Sequence, residues 1–306
     1  VYILPDYDKK AHLNLGCRQD DLINALSQDR DIDAVLMTRP NYYGVASHIG
    51  SMIEAARSRG IPFLVDEAHG AHFSFSGLFP QPVLELGADA CVQSLHKTLP
   101  AMTQTALVHE GSSSLLGKGR LFKYMSMLQT TSPSYVLMAS IDIAREIMEQ
   151  RGEELYDGLY KRIDIFYREL SKIDGVRRIK PDNPGVDTDF SRIVLSFERS
   201  GLTGFEAERI LRESSGIVAE MADYYHLVFI ATPFHTDKDF EALLKGIREV
   251  ARHGKGPFTD KFSFVGIPDS LPERAMNPGK AIEMPAEYID LNAASGRISA
   301  ATITPY

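Results

Sequence analysis

The stretch Ala90-Cys91-Val92-Gln93-Ser94-Leu95-His96-Lys97-Thr98-Leu99 runs from an apolar triplet into a cluster of polar residues. A second stretch has the same plan, with Ile61-Pro62-Phe63-Leu64-Val65 leading into Asp66-Glu67-Ala68-His69. A short apolar run closed by turn-forming residues reads as a buried strand. In open α/β sheets, ligands bind beyond the carboxyl ends of the strands. Lys97 and Asp66 are therefore expected at neighbouring strand ends, within reach of one ligand. A lysine there is a candidate nucleophile toward a carbonyl, and a carboxylate beside it would stabilise a protonated ring nitrogen. The chemistry predicted is a Schiff base between Lys97 and an aldehyde cofactor whose ring nitrogen pairs with Asp66.

Around these two stretches the pattern alternates. Val1–Leu4 and Asp33–Met37 read as strands, and Arg18–Gln28 and Ala46–Arg59 as helices, the second with Ile49, Ile53 and Ala56 on one face. Pro82–Leu86 reads as a short helix, and Thr105–His109 as a strand with no helix before it, hence antiparallel. Such β-α alternation predicts an α/β fold, a mostly parallel sheet wrapped by helices. From about residue 115 to 172 the pattern turns helical, with breaks at Ser132-Pro133-Ser134 and around Gly152. Beyond it, strands at Arg192–Phe197 and Leu227–Ala231 alternate with helices at Gly204–Ser214 and Asp237–His253. That order predicts a smaller α+β domain, with Gly216–Glu220 as an extended connection. Residues 268–285 show little periodicity, and a last short helix is expected near Ile289–Ser295. The domains expected are 1–133, part of a large ligand-binding domain; 134–175, linking helices; 176–255, the small domain; and 256–306, a carboxyl-terminal extension.

A chain of 306 residues with 44% hydrophobic and 24% charged residues can bury a substantial core. Its net charge of −8 argues against nucleic-acid and anionic-membrane partners and suits a cationic small molecule. Cys17 and Cys91 cannot make a disulfide framework, no transmembrane or signal pattern is present, and a cytoplasmic location is expected. The chain opens on Val1 without an initiator Met and stops at Thr304-Pro305-Tyr306, both inside ordered-looking sequence, so a fragment is expected.

Other polar groups cluster around the pair. Ser94, His96 and Thr98 offer phosphate-type donors. Asp66, His69 and His72 lie within seven residues, but no third spaced His or Cys ligand accompanies them, and no metal site is expected. His69 suits an imidazole stacked on or bonded to a cofactor, and His72 a packing role. In Gln129-Thr130-Thr131-Ser132-Pro133-Ser134-Tyr135, Ser132 with Pro133 fits a helix start, and the hydroxyls could also hold an anion.

Taken together, these residues resemble the Orn/Lys/Arg decarboxylase family, pyridoxal-phosphate enzymes of the aspartate-aminotransferase fold (fold type I), in its short bacterial form. The matching stretches include Arg39–Gly44, Val65–Phe73, Gln93–Leu99, Thr103–Ala106, Thr131–Tyr135, Gly216–Glu220 and Gly296–Ser299. The resemblance implies a pyridoxal 5'-phosphate cofactor bound by Lys97, Asp66, Ala68, His69, Ser94 and His96, with Lys97 and His96 catalytic. It implies decarboxylation of lysine, ornithine or arginine to the amine, as in polyamine metabolism, by a homodimer or higher homo-oligomer. Tyr43, Thr131, Ser132 and Glu220 are candidates for the substrate side or for a partner subunit's site. The family's Ser/Gly/Thr phosphate-binding turn and its ring-stacking histidine have no counterpart here. The alternatives are another fold type I reaction such as transamination, for which Arg192 is the candidate carboxylate clamp, or an inactive fragment.

Overall fold

In chain order, strands β1 (Asp6–Asp8) and β2 (Leu13–Gly16) pair antiparallel and precede α1 (Gln19–Gln28), β3 (Val35–Thr38), β4 (Val45–Ser47), α2 (Gly50–Arg57) and β5 (Phe63–Asp66). Next come β6 (Ala90–Ser94), the one-turn helix α3 (Leu95–Thr98), β7 (Ala106–Glu110), α4 (Arg120–Leu128) and α5 (Tyr135–Leu170). The series continues with β8 (Arg177–Arg178), β9 (Val186–Thr188), β10 (Arg192–Ser196), α6 (Gly204–Ser215), β11 (Met221–Ala222), β12 (Leu227–Ile230) and α7 (Asp237–Arg252). This computed structural model describes residues 1–29, 31–256, 258 and 275–298. It falls into two units, residues 1 and 3–259 in one and residues 2 and 260–306 in the other. Within the second, Pro278–Ala281 forms a helical turn (α8) and Leu291–Ala293 a 3₁₀ turn, which replaces the helix expected near Ile289–Ser295. Residues 268–274 of the aperiodic stretch and the segment from Ser299 onward lie outside the described residues.

The first sheet has the order β3-β5-β6-β7, parallel through β6 and antiparallel at β7. This is the mostly parallel sheet expected, including its antiparallel last strand. Thr38, Asp66 and Val92 lie abreast at the carboxyl ends, so the residues that follow them converge on one edge. Helices α1 and α2 cover this sheet through Leu22, Leu26, Met52 and Ile53 against Phe63 and Val65. The second sheet, β11-β12-β10-β8, is antiparallel throughout and packs on α5, α6 and α7 through Leu195, Phe229, Phe166, Leu211 and Ile247. A two-stranded clip, β4 with β9, ties the loop after β3 to the segment that enters β10. Among the described residues no helix is long and apolar enough to cross a membrane.

Four further expected features differ. Val1–Leu4 forms no strand; of these residues Ile3 packs on the core while Val1 and Tyr2 stay exposed, so nothing rewards extension there. Ala46 lies in β4, and the helix starts only at Gly50, because pairing with the distant β9 outcompetes the local helical pattern. Pro82–Leu86 is a run of turns rather than a helix, held by the Val83 N–H donating to Glu67 Oε1 at 3.1 Å. Gly152 does not break the helical region: α5 runs unbroken through it, and a Cβ there would stand 2.8 Å from Phe75 Cβ. The glycine is a close-packing position inside a helix whose buried stripe, from Ala144 through Met148, Tyr156, Leu159 and Ile163 to Leu170, follows a 3–4 spacing.

Candidate active site

β6 passes directly into α3, so Lys97 stands on the first turn after the strand rather than at its last residue. The turn forms because Leu95 is buried as an anchor, the Leu95 N–H donates to the Thr105 carbonyl, and the Leu99 N–H closes back on Leu95 O. Ser94, His96 and Lys97 are all half-buried. His96 Nδ1 donates to the Thr105 carbonyl at 2.9 Å, which leaves Nε2 as the free acceptor. The Ser94 hydroxyl has no hydrogen-bond partner among the described residues.

After β5, Asp66 turns the chain: its Oδ1 accepts from the Ala68 N–H at 3.0 Å, and the other oxygen is unengaged among the described residues. Gly70 completes the turn; a Cβ there would stand 2.6 Å from Glu67 Cγ. The turn brings His69 Nε2 to 3.3 Å from Lys97 Nζ. The carboxylate stretch and the lysine stretch thus meet at one edge, as their strand-end positions predict.

Behind them Glu67 is fully buried. Its Oε2 accepts from Gln93 Nε2 at 2.7 Å, and its Oε1 from the Val83 N–H, with Arg39 Nη1 at 3.9 Å. Glu67 thereby staples the residues just before Lys97 to those just after Asp66. Burial pushes the Glu67 carboxyl up to about 7, against the pull of Gln93, Val83 and Arg39.

On the other side of His69 stands a group drawn from the segment that enters β10 and from the first residue of that strand. Arg192 Nη2 lies 3.1 Å from His69 Nδ1, and Arg192 Nε lies 3.4 Å from Asp189 Oδ2. Asp189 also meets His72 Nε2 at 3.0 Å and accepts from the Ser191 hydroxyl and N–H. The Arg192 and Asp189 side chains have no exposed surface. Burial alone would raise the Asp189 carboxyl; His72, Arg192 and Ser191 overcome it and hold it at about 2. Gly44 makes room for this group. Its φ is +78°, and a Cβ there would stand 2.5 Å from Arg192 Cγ and 3.1 Å from Asp189 Cβ. The Tyr42 ring packs against His69 at a 57° tilt, with centroids 4.4 Å apart.

These shifts have opposite signs with pH. Burial first, then the charges of Arg192 and Lys97, hold His69 at about 3 rather than 6.5. The unfolded chain takes up that proton near 6.5 and the folded one does not, so this contribution is full above about 6.5 and falls toward 3. Glu67 behaves inversely: its contribution is full below 4.5 and is lost as pH rises through about 7. Between about 4.5 and 6.5 the two slopes oppose. Relative to the parent, Glu67→Gln is expected to gain stability as pH rises through this window, and His69→Gln as pH falls. Each difference should approach ~1 kcal/mol per pH unit in urea midpoints; differences that do not move with pH would refute the assignment.

Of the other expected residues, Tyr43 points elsewhere: its hydroxyl donates to Asp223 Oδ2 at 2.5 Å, in a group with His226. Thr131 and Ser132 are exposed and make no hydrogen bond to this cluster among the described residues. Ser134, not Ser132, caps α5, accepting from the Leu137 N–H; Ser132 has φ +58°, and Pro133 precedes the cap. Glu220 is exposed, but its charge acts on Arg192. His72 is packed among Phe73, Phe79 and Tyr156, as its packing role predicts. A cleft of about 330 Å³ bordered by Ile193, Glu220, Phe229 and Asp239 is lined from β10 by Ile193, which faces away from its neighbour Arg192 because successive strand residues alternate.

The donor set fits pyridoxal phosphate: an amine for its aldehyde, a carboxylate with an open oxygen for its ring nitrogen, and Ser94 with His96 Nε2 beside them. The family model described as "Orn/Lys/Arg decarboxylase, major domain" matches residues 1–191. The chain belongs to the Orn/Lys/Arg decarboxylase family. With membership stand the fold type I architecture and pyridoxal phosphate as the family's cofactor. An arginine decarboxylase of Bacillus subtilis is 32% identical over 311 residues, covering 100% of this chain and 63% of that protein. One from Halalkalibacterium halodurans is 30% identical with the same coverage. This family member thus spans about 63% of the length of those relatives. Among solved structures, the Francisella novicida lysine decarboxylase LdcF superposes with a TM-score of 0.70 at 17% identity, over 82% of this chain and 42% of that one, which is a likeness of fold.

Sequence reading missed Asp189 and Ser191 and undervalued Arg192. The available signal was Thr188-Asp189-Phe190-Ser191-Arg192, several polar groups leading into the first residue of a fully buried strand. Nothing local in that stretch points to His69.

Proposed function

We propose that the protein containing this chain decarboxylates a basic amino acid, with Lys97, Asp66, Ala68, His69, Ser94 and His96 forming its part of the cofactor site. The observation that carries this reading is the meeting of the Lys97 amine with the turn that follows Asp66, at one sheet edge, in a chain of this family. Bound there, pyridoxal phosphate would supply the electron sink that accepts the pair left when CO₂ departs. Lys97 would be the residue whose amine holds the cofactor through its aldehyde carbon. Asp66, with one oxygen unengaged among the described residues, would hold the positive charge of the ring nitrogen. Lys97 Nζ or His96 Nε2, once it has itself taken up a proton, would then return it to the substrate Cα. The arginine decarboxylase relatives and the acidic balance of the chain support a cationic substrate among lysine, ornithine and arginine.

The proposal extends to a large domain over 1–133, linking helices over 134–175, a small domain over 176–255 and an extension over 256–306. It also includes a cytoplasmic homo-oligomer in which Tyr43, Thr131, Ser132 and Glu220 serve the substrate side or a partner's site. Transamination stays as a second reading because Arg192 Nη1 is buried without a hydrogen-bond partner among the described residues, a guanidinium available to a carboxylate. Incubating the full-length protein and cofactor with each basic amino acid separates the two. CO₂ and the matching amine are expected from one of them; keto acid without CO₂ would establish the second reading, and neither product would refute both.

A further inference from the structure

The order of groups Asp189–Arg192–His69–Lys97 constrains where the protons lie. A guanidinium has only N–H donors. Arg192 Nη2, 3.1 Å from His69 Nδ1, must therefore donate, and Nδ1 must carry the lone pair. A neutral imidazole has one N–H, which is then on Nε2, and Nε2 is the atom 3.3 Å from Lys97 Nζ. The imidazole cannot accept from the lysine; it can only offer its proton to the amine lone pair.

We propose that Arg192, anchored by Asp189, is a positioning residue that locks His69 as the Nε2–H tautomer, so that the imidazole selects the uncharged amine of Lys97. Were Nδ1 the protonated atom, Nε2 would accept from a lysine ammonium and favour the form unable to attack a carbonyl. Burial supports the lock: neither the Arg192 nor the Asp189 side chain has exposed surface, and His69 is itself buried. Gly44 leaves space for the guanidinium, and the tilted Tyr42 ring packs against the imidazole. The burial of His69 and the guanidinium of Arg192 beside it also keep the ring neutral. This inference gives a role within the proposed function and rests on it for the importance of the free amine.

The test reads the proton directly. Full-length protein with ¹⁵N-labelled histidine, without added cofactor, is examined near neutral pH by long-range ¹H–¹⁵N correlation, His69 being assigned by its loss in His69→Gln. The Nε2–H pattern is expected in the parent, in Arg192→Lys, which keeps a donor, and in Lys97→Ala, which removes the other neighbour. Arg192→Met, with folding verified by circular dichroism, is expected to lose that pattern. An Nδ1–H or doubly protonated His69 in the parent, or a switch in Lys97→Ala, would overturn the inference even if Arg192→Met does not fold. A folded Arg192→Met that keeps the parent pattern would also overturn it. None of these spectra measures CO₂, so a protein with the expected tautomer and no decarboxylation loses the proposed function while keeping the lock, and the converse result does the reverse.

Discussion

Lys97→Ala is expected to abolish covalent cofactor attachment and to lower decarboxylation by at least ~10³-fold while leaving the fold intact. The separation between the two effects follows from where the lysine sits. Lys97 is half-buried on a one-turn helix, and its side chain bonds to His69. Removing a partly exposed hydrogen bond costs on the order of 1 kcal/mol. The turn itself is anchored by Leu95 and by backbone bonds to Thr105, which the substitution leaves in place. Full-length variant and parent would be compared for visible absorbance with pyridoxal phosphate, for cofactor fixed by borohydride to the peptide containing residue 97, and for CO₂ release. A variant that keeps both the fixed cofactor and the turnover would eliminate Lys97 as the attachment point.

Asp189→Ala is expected to cause the largest loss of stability, about 3–5 kcal/mol, the scale for removing one partner of a buried ion pair. Asp189 receives Arg192, His72 and Ser191 at once, and neither it nor Arg192 has exposed surface. Without the carboxylate, the guanidinium is left buried beside an imidazole held neutral by its surroundings, and His72 loses the acceptor for Nε2. A well-packed apolar replacement of the whole group could be neutral, but loss of one member cannot. Urea denaturation of parent, Asp189→Ala and Asp189→Asn tests this. The Asn variant should fall between the others, because it keeps shape and one acceptor but not the charge. An Asp189→Ala protein within about 1 kcal/mol of the parent would show that the network does not carry the stability assigned to it.

How much was legible follows from the range of each interaction. β5, β6, α6, α7, β10 and β12 each declare themselves by apolar runs or helical spacing within a dozen residues, and their observed bounds match the expected ones closely. The capping box at Thr203 and Glu206 is equally local, and α6 starts where it dictates. By contrast, β4 exists only through pairing with β9, more than a hundred residues away, and a local helical pattern concealed it. Gly152 looked like a helix break because glycine lowers helix propensity, whereas its contact with Phe75 is what selects it.

For the site, the sequence alone determined that Asp66 and Lys97 emerge beside one another. Parallel strands put their carboxyl ends on one edge, and the polar residues after each strand have nowhere else to go. It also determined the family, through ordered stretches along the chain. Only the tertiary structure decided what surrounds the lysine. His69 reaches it through a turn, Arg192 reaches His69 across 123 positions of sequence, and Asp189 reaches both Arg192 and His72 in a space that Gly44 keeps open. Those contacts have no period and no local signature. Buried polar groups must find partners wherever the packed chain brings them, and that choice is made by the fold as a whole.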